Sequence, residues 1–145
     1  MAYHAMSDAE VRRFLSADPA RPAVLATVRK DGRPHAAPIW YVLEEDGAIL
    51  FNTGAETVKG RNLARTGLAT LTVQEDRAPF SFVTVEGTVT TSDDLEEVRT
   101  AAARIGGRYM GAARSEEYGE RNGVPGELVV RLTPTKVISA ADVAD

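Results

Sequence analysis

The stretch AVLATVRKDGRPHAAPIWYVLE, residues 23–44, decides how this chain folds. Ala23–Val28 is apolar and partly β-branched, and reads as a buried strand. Asp31-Gly32 follows, a dipeptide suited to a tight hairpin turn. The return strand is predicted from His35 to Glu44. Alternation puts Ala36, Pro38 and Trp40 on one face and His35, Ala37 and Ile39 on the other. Pro38 has no N–H to give a ladder, so this strand is expected at a sheet edge or at a bulge. Small residues beside such an irregularity leave room for a flat ring, and free backbone groups there can bond its edge. Trp40 by itself fits a core or dimer-interface role better than ligand stacking.

Working outward, Glu45–Gly47 turns the chain into a third strand, Ala48–Thr53. Three consecutive antiparallel strands predict a meander. Upstream, Ser7–Glu10 has the S-x-x-E form of a capping box and opens a helix carrying Val11, Phe14 and Leu15 on one face. Ala17–Pro22 ends it. Downstream come a helix from about Thr57 to Thr66 and strands at Leu68–Glu75 and Phe80–Ser92, with Gly87 marking a bulge. A longer helix follows, in which Leu95, Val98, Ala102, Ile105 and Tyr109 recur at helical spacing. Gly106-Gly107 is expected to weaken its later part. Ser115–Arg121 reads as a short helix, and residues 126–139 as a strand pair broken at Pro134. The whole predicts one mainly β domain over residues 1–145, with about six strands and flanking helices.

Composition excludes much chemistry. There is no cysteine, so disulfides, thiolate metal sites and thiol catalysis are all absent. Two histidines without a carboxylate cluster argue against zinc, and no metal site is expected. The chain has no G-x-G-x-x-G, no Walker A sequence and no G-x-S-x-G. A net charge of −4 argues against nucleic-acid binding. No signal-peptide core or membrane-length apolar run is visible, and a cytoplasmic location is expected. An enzyme of this sequence would take its chemistry from a cofactor.

One place gathers positive charge. AETVKGRNLART (Ala55–Thr66) holds Lys59, Arg61 and Arg65 around Gly60 and Asn62. Unpaired N–H groups and the macrodipole favour an anion at a helix start, and Lys59 stands in the first turn. Gly60 costs about 1 kcal/mol in a helix relative to alanine, so it asks for a reason, such as close approach of a ligand. The plain alternative is three solvated cations, with Glu56 capping the helix or repelling an anion. In RAPFSF (Arg77–Phe82), Phe80 is either a core residue or a ring-stacking one.

The order of these pieces, with D-G-R-P-x-x-x-P-x-W, K-x-R-N-L and V-E-G as the most specific, resembles the pyridoxamine 5′-phosphate oxidase-like split β-barrel family. Within it the chain is most similar to small bacterial proteins that use the deazaflavin coenzyme F420. The resemblance runs from about Val11 to Ser139. It implies a six-stranded antiparallel split β-barrel and a homodimer with cofactor sites at the subunit interface. It also implies an oxidoreductase moving a hydride between reduced F420 and an unsaturated or conjugated small-molecule acceptor. FMN on the same scaffold, or a non-catalytic flavin or deazaflavin carrier, are the alternatives. Carried over, Lys59 is the leading phosphate ligand, with Gly60, Arg61 and Asn62 in the matching motif. Thr53 matches the polar strand-end position. Ala36, Ala37, Pro38, Ile39 and Trp40 match the strand lining the ring, and Phe80 an aromatic that approaches it from the partner subunit. Arg65 reads as a solvated charge or as reaching an acidic tail. True pyridoxamine phosphate oxidases are longer and carry a C-terminal tryptophan, which speaks against vitamin B6 oxidation. Thr57 stands where many relatives have a second basic residue.

Overall fold

The structure is a computed structural model and describes residues 4–144. The predicted hairpin forms from β1 (Ala23–Val28) and β2 (Pro34–Ile39). Gly32 takes the positive φ of 89° its turn requires, and Asp31 accepts the Arg33 N–H.

The meander does not form. The return strand breaks after Ile39 and resumes as the short β3 (Val42–Leu43), which pairs with β4 (Ile49–Gly54) and not with β2. With β5 (Leu68–Gln74), β6 (Phe82–Ser92) and β7 (Glu127–Ala140), the antiparallel sheet runs β2-β1-β5-β6-β7-β4-β3. The sheet therefore has seven strands rather than six. β2 and β3 are its opposite edges, yet only Trp40 and Tyr41 separate them in sequence. Three residue steps span about 10 Å, so the sheet must curl until its edges nearly meet. The cause is burial: curling encloses Leu25, Ile49, Phe51, Leu71, Val83, Val130 and Leu132, which a flat sheet would leave wet on one face.

The expected final strand pair is also one strand. β7 passes through Pro134 because the β6–β7 register shifts there, from Glu86↔Lys136 to Gly87↔Pro134, leaving Thr135 as the extra residue. The irregularity expected at Gly87 is present, with the bulged residue on β7 opposite, and Gly87 leaves room for the close approach: a Cβ there would lie 2.1 Å from the Thr133 carbonyl oxygen.

α1 (Asp8–Leu15) has the predicted capping box and closes one end of the barrel with Leu15. α3 (Leu95–Met110) continues unbroken through Gly106-Gly107. Those glycines admit the next helix instead: a Cβ on Gly106 would lie 2.2 Å from Tyr118 Cβ in α4 (Ser115–Asn122). The end of α3 closes the seam. Arg108 donates to the carbonyls of Tyr41 (2.7 Å) and Leu15 (2.9 Å), and the Tyr109 hydroxyl to that of Arg21 (2.7 Å). The Tyr41 hydroxyl, wholly buried, donates to Leu15 O at 2.6 Å. Trp40 lies flat on Tyr109, centroids 4.9 Å apart.

α2 (Val58–Thr66) starts from Thr57, whose hydroxyl oxygen accepts the Gly60 N–H at 3.0 Å. The same hydroxyl donates to Gly54 O at 2.7 Å. The helix start is thus pressed against the end of β4, and a Cβ on Gly60 would fall 2.1 Å from Gly54 O. Gly60→Ala should destabilise the fold by about 1–3 kcal/mol by urea unfolding, despite alanine's better helix propensity. Unchanged or raised stability would refute the close approach. Burial pushes the Tyr41 phenol up to about 12, partly opposed by the Arg108 charge. The folded chain then holds this proton more tightly than the unfolded one, whose phenol titrates near 10. Stability is therefore predicted to fall as pH rises from about 10 to 12, and Tyr41→Phe to flatten that fall. An equal slope in both proteins would contradict it.

Candidate cofactor site

The turn of the β1–β2 hairpin fixes which backbone groups of β2 stay free. Arg29 N donates to Arg33 O at 2.9 Å, so the bonded pairs along the ladder are those of His35, Ala37 and Ile39 with β1. The backbone groups of Pro34, Ala36 and Pro38 face the open edge. Both prolines lack an N–H, so this edge offers three carbonyls and one donor, from Ala36. Pro38 thus sits at an edge strand, as its missing N–H predicts.

Where β2 ends, a cavity of about 210 Å³ opens among Pro38, Ile39, Trp40, Asn52, Lys59 and the α3 residues Ala102, Ile105 and Gly106, with Asn122 of α4. Lys59 comes from the first turn of α2, brought there by the Thr57 cap. Its half-buried ammonium makes no hydrogen bond or ion pair among the described residues. No acidic residue lines the cavity. A lone cation beside a helix start and an indole, with no competing carboxylate in the lining, suits an anion attached to a flat or apolar group.

The cavity therefore joins four of the residues singled out from sequence: Pro38, Ile39, Trp40 and Lys59. The others lie around it. Thr53 is buried and shares a hydrogen bond with the Thr57 hydroxyl (3.1 Å), so it supports the cap. Gly60 is filled against Gly54, so protein backbone rather than a ligand accounts for its missing side chain. Asn62 is buried, donating to Thr27 Oγ1 at 3.0 Å and accepting from Arg65. Arg61 pairs with Glu56 at 2.6 Å on the exposed side of the helix. Arg65 is exposed, as a solvated charge would be, and also donates to Val28 O, tying the end of α2 to β1. Ala36 offers its backbone on the open edge, while Ala37 faces inward on β2. His35 also faces inward, and its Nδ1 is buried without a partner among the described residues.

Phe80 is outside the cavity. It stands on the β5–β6 connection, 40% exposed and with a φ of 60°, an uncommon conformation for an aromatic residue. It is therefore not a core phenylalanine of this chain. Asn52 and Asn122 escaped the sequence reading. Asn52 alternates with buried strand residues and carries no motif, and Asn122 reaches the cavity only because α4 folds back on α3.

Solved structures with this fold are numerous. A conserved hypothetical protein from Mycobacterium tuberculosis superposes with a TM-score of 0.81 at 23% identity, covering 94% of this chain and 86% of its own. An F420 reductase gives 0.68 at 20% identity, with 87% and 94% covered. A FAD-binding protein from Mesorhizobium loti gives 0.70 at 17%, with 97% and 98% covered. At these identities the likeness is one of fold. No curated protein matches the chain. The family profile described as pyridoxamine 5′-phosphate oxidase matches residues 7–140, nearly the full length, and the chain belongs to this pyridoxamine 5′-phosphate oxidase-like family.

Proposed function

We propose that the protein is a coenzyme F420-dependent oxidoreductase, transferring a hydride between the reduced deazaflavin and an unsaturated or conjugated small molecule. The observation that carries a phosphate-bearing cofactor is Lys59, a cation unpaired among the described residues, in a cavity free of carboxylates and lined by Trp40. The choice of F420 rests on the motif resemblance and on an F420 reductase among the structural neighbours. FMN is the second reading, favoured by the family's description and by a FAD-binding neighbour. A non-catalytic carrier is the third. The cavity lining holds no titratable side chain besides Lys59, and the buried Tyr41 hydroxyl is committed to Leu15 O.

When bound, reduced F420 supplies the hydride from C5 of its ring. The chain's own residues do the rest. Lys59 and the first N–H groups of α2 hold the phosphate. The free edge of β2, with one N–H and flanking carbonyls, would hydrogen-bond the edge of the ring. Trp40, Pro38 and Ile105 keep water from that side. The proton that completes reduction comes from solvent at the open edge.

A second copy of the chain completes the site. The outward face of β2, β1 and β5 presents Pro38, Val24 and Thr72 in one row and Ala36, Ala26 and Thr70 in the next, all uncharged. Val24, Val28 and Leu68 are about half exposed there. Such a neutral, β-rich face suits burial against its own copy. The partner copy would also cover the strained, exposed Phe80 and bring its aromatic ring to the cofactor.

Lys59→Ala should weaken binding of F420 or FMN about 10- to 100-fold by calorimetry, as loss of a charge-assisted contact would; unchanged affinity removes Lys59 from the site. Val24→Arg should turn a dimer into a monomer in light scattering while leaving the fold intact. A wild-type protein that is monomeric at micromolar concentration would refute the dimer.

A further inference from the structure

The cavity beside Lys59 contains two carboxamides for which the motifs give no role. Asn52 Nδ2 donates to Leu128 O at 3.1 Å, which fixes the side chain and leaves its Oδ1 without a donor among the described residues. Asn122, the last residue of α4, is half-buried and its amide makes no hydrogen bond among the described residues. It is not at a loose end. Four residues before it, Tyr118 is seated on Gly106, and immediately after it Gly123 lies so close to α3 that a Cβ would fall 2.6 Å from Arg99 Cα. Asn122 is thus held over the cavity by anchors on both sides.

A carboxamide offers donors and an acceptor without charge. A hydroxyl group is likewise both donor and acceptor, so two carboxamides beside an ammonium suit a hydroxylated chain ending in a phosphate. Size agrees. About 210 Å³ lies below the usual range of about 300–1,000 Å³ for pockets that enclose a drug-sized ligand. It admits a phosphorylated five-carbon arm but not a tricyclic ring as well, and the ring is left to the open edge of β2. We infer that Asn122 is a specificity-determining residue that reads the hydroxyls of a polyol phosphate whose phosphate sits on Lys59. This rests on the phosphate role of Lys59 proposed above, and names the part of the ligand that FMN and F420 share.

The test uses Trp40, which lines the cavity and is the single tryptophan of the chain. Its emission is followed while the full-length protein is titrated with ribitol 5-phosphate, FMN and inorganic phosphate. Asn122→Leu should weaken ribitol 5-phosphate and FMN about tenfold and leave inorganic phosphate unchanged. Unchanged affinity for ribitol 5-phosphate, or an equal loss for inorganic phosphate, overturns the inference. Should the leucine variant not fold, Asn122→Ala removes the carboxamide without added bulk and decides: it should weaken ribitol 5-phosphate but not inorganic phosphate, and wild-type affinity for ribitol 5-phosphate would overturn the inference. Lys59→Ala serves as the separate control. If it leaves all three ligands unaffected, the phosphate reading itself fails, whatever Asn122 does.

Discussion

Everything in this molecule depends on holding two sheet edges together across two residues. Antiparallel strands bury one face cheaply only if the sheet curls, and a curled sheet must do something with its edges. Here the chain itself crosses the seam through Trp40 and Tyr41, and the end of α3 secures the crossing. Arg108 gathers the carbonyls of Tyr41 and Leu15, and Tyr109 that of Arg21, so one helix end ties the seam, α1 and the approach to β1. The guanidinium is matched to carbonyls rather than to a carboxylate, and it lies over the rings of Tyr41 and Tyr109. Such planar contacts suit arginine and would not survive replacement by lysine.

The site is a consequence of that seam. Because β2 stops at Ile39 and the chain swings to the opposite edge, one side of β2 never acquires a partner. Because Trp40 stacks on Tyr109, the indole stands at the mouth of the gap between the barrel and α3. α2 then delivers Lys59 into this gap from the far side, its start fixed by Thr57, Gly54 and Gly60. The three cations of this helix have three fates. Arg65 binds a strand end, Arg61 binds Glu56, and Lys59 makes no hydrogen bond or ion pair among the described residues. Most of the charge cluster visible in the sequence is thus engaged by the chain's own groups.

The difference between what was legible in the sequence and what was not follows the range of the interactions. The hairpin at Asp31-Gly32, the capping box at Ser7, the Gly87 bulge and the helix from Leu95 are set by neighbouring residues, and they stand where local chemistry puts them. The seam is not local. Nothing in IWYV separates a continuous strand from one that breaks and changes edge, because both bury alternate side chains. Gly106-Gly107 differs for the same reason: by local propensity a glycine pair weakens a helix, whereas here Tyr118 occupies the space it leaves. Pro134 has the mark of a strand end, but Thr135 forms a bulge beside it, opposite Gly87, and the strand runs on. At the site, Lys59, Pro38, Ile39 and Trp40 carried motif signals, whereas Asn52 and Asn122 came together only through the packing of α4 on α3.

The central claim is that the cofactor's phosphate is held by Lys59 in the gap between β2, α2 and α3. A crystal structure of the F420 complex tests it most directly. The account predicts phosphate oxygens about 2.8 Å from Lys59 Nζ, the ring lying along the open edge of β2 and Asn122 touching the hydroxylated arm. A phosphate bound elsewhere, with Lys59 in solvent and the gap beside Trp40 empty, would contradict it.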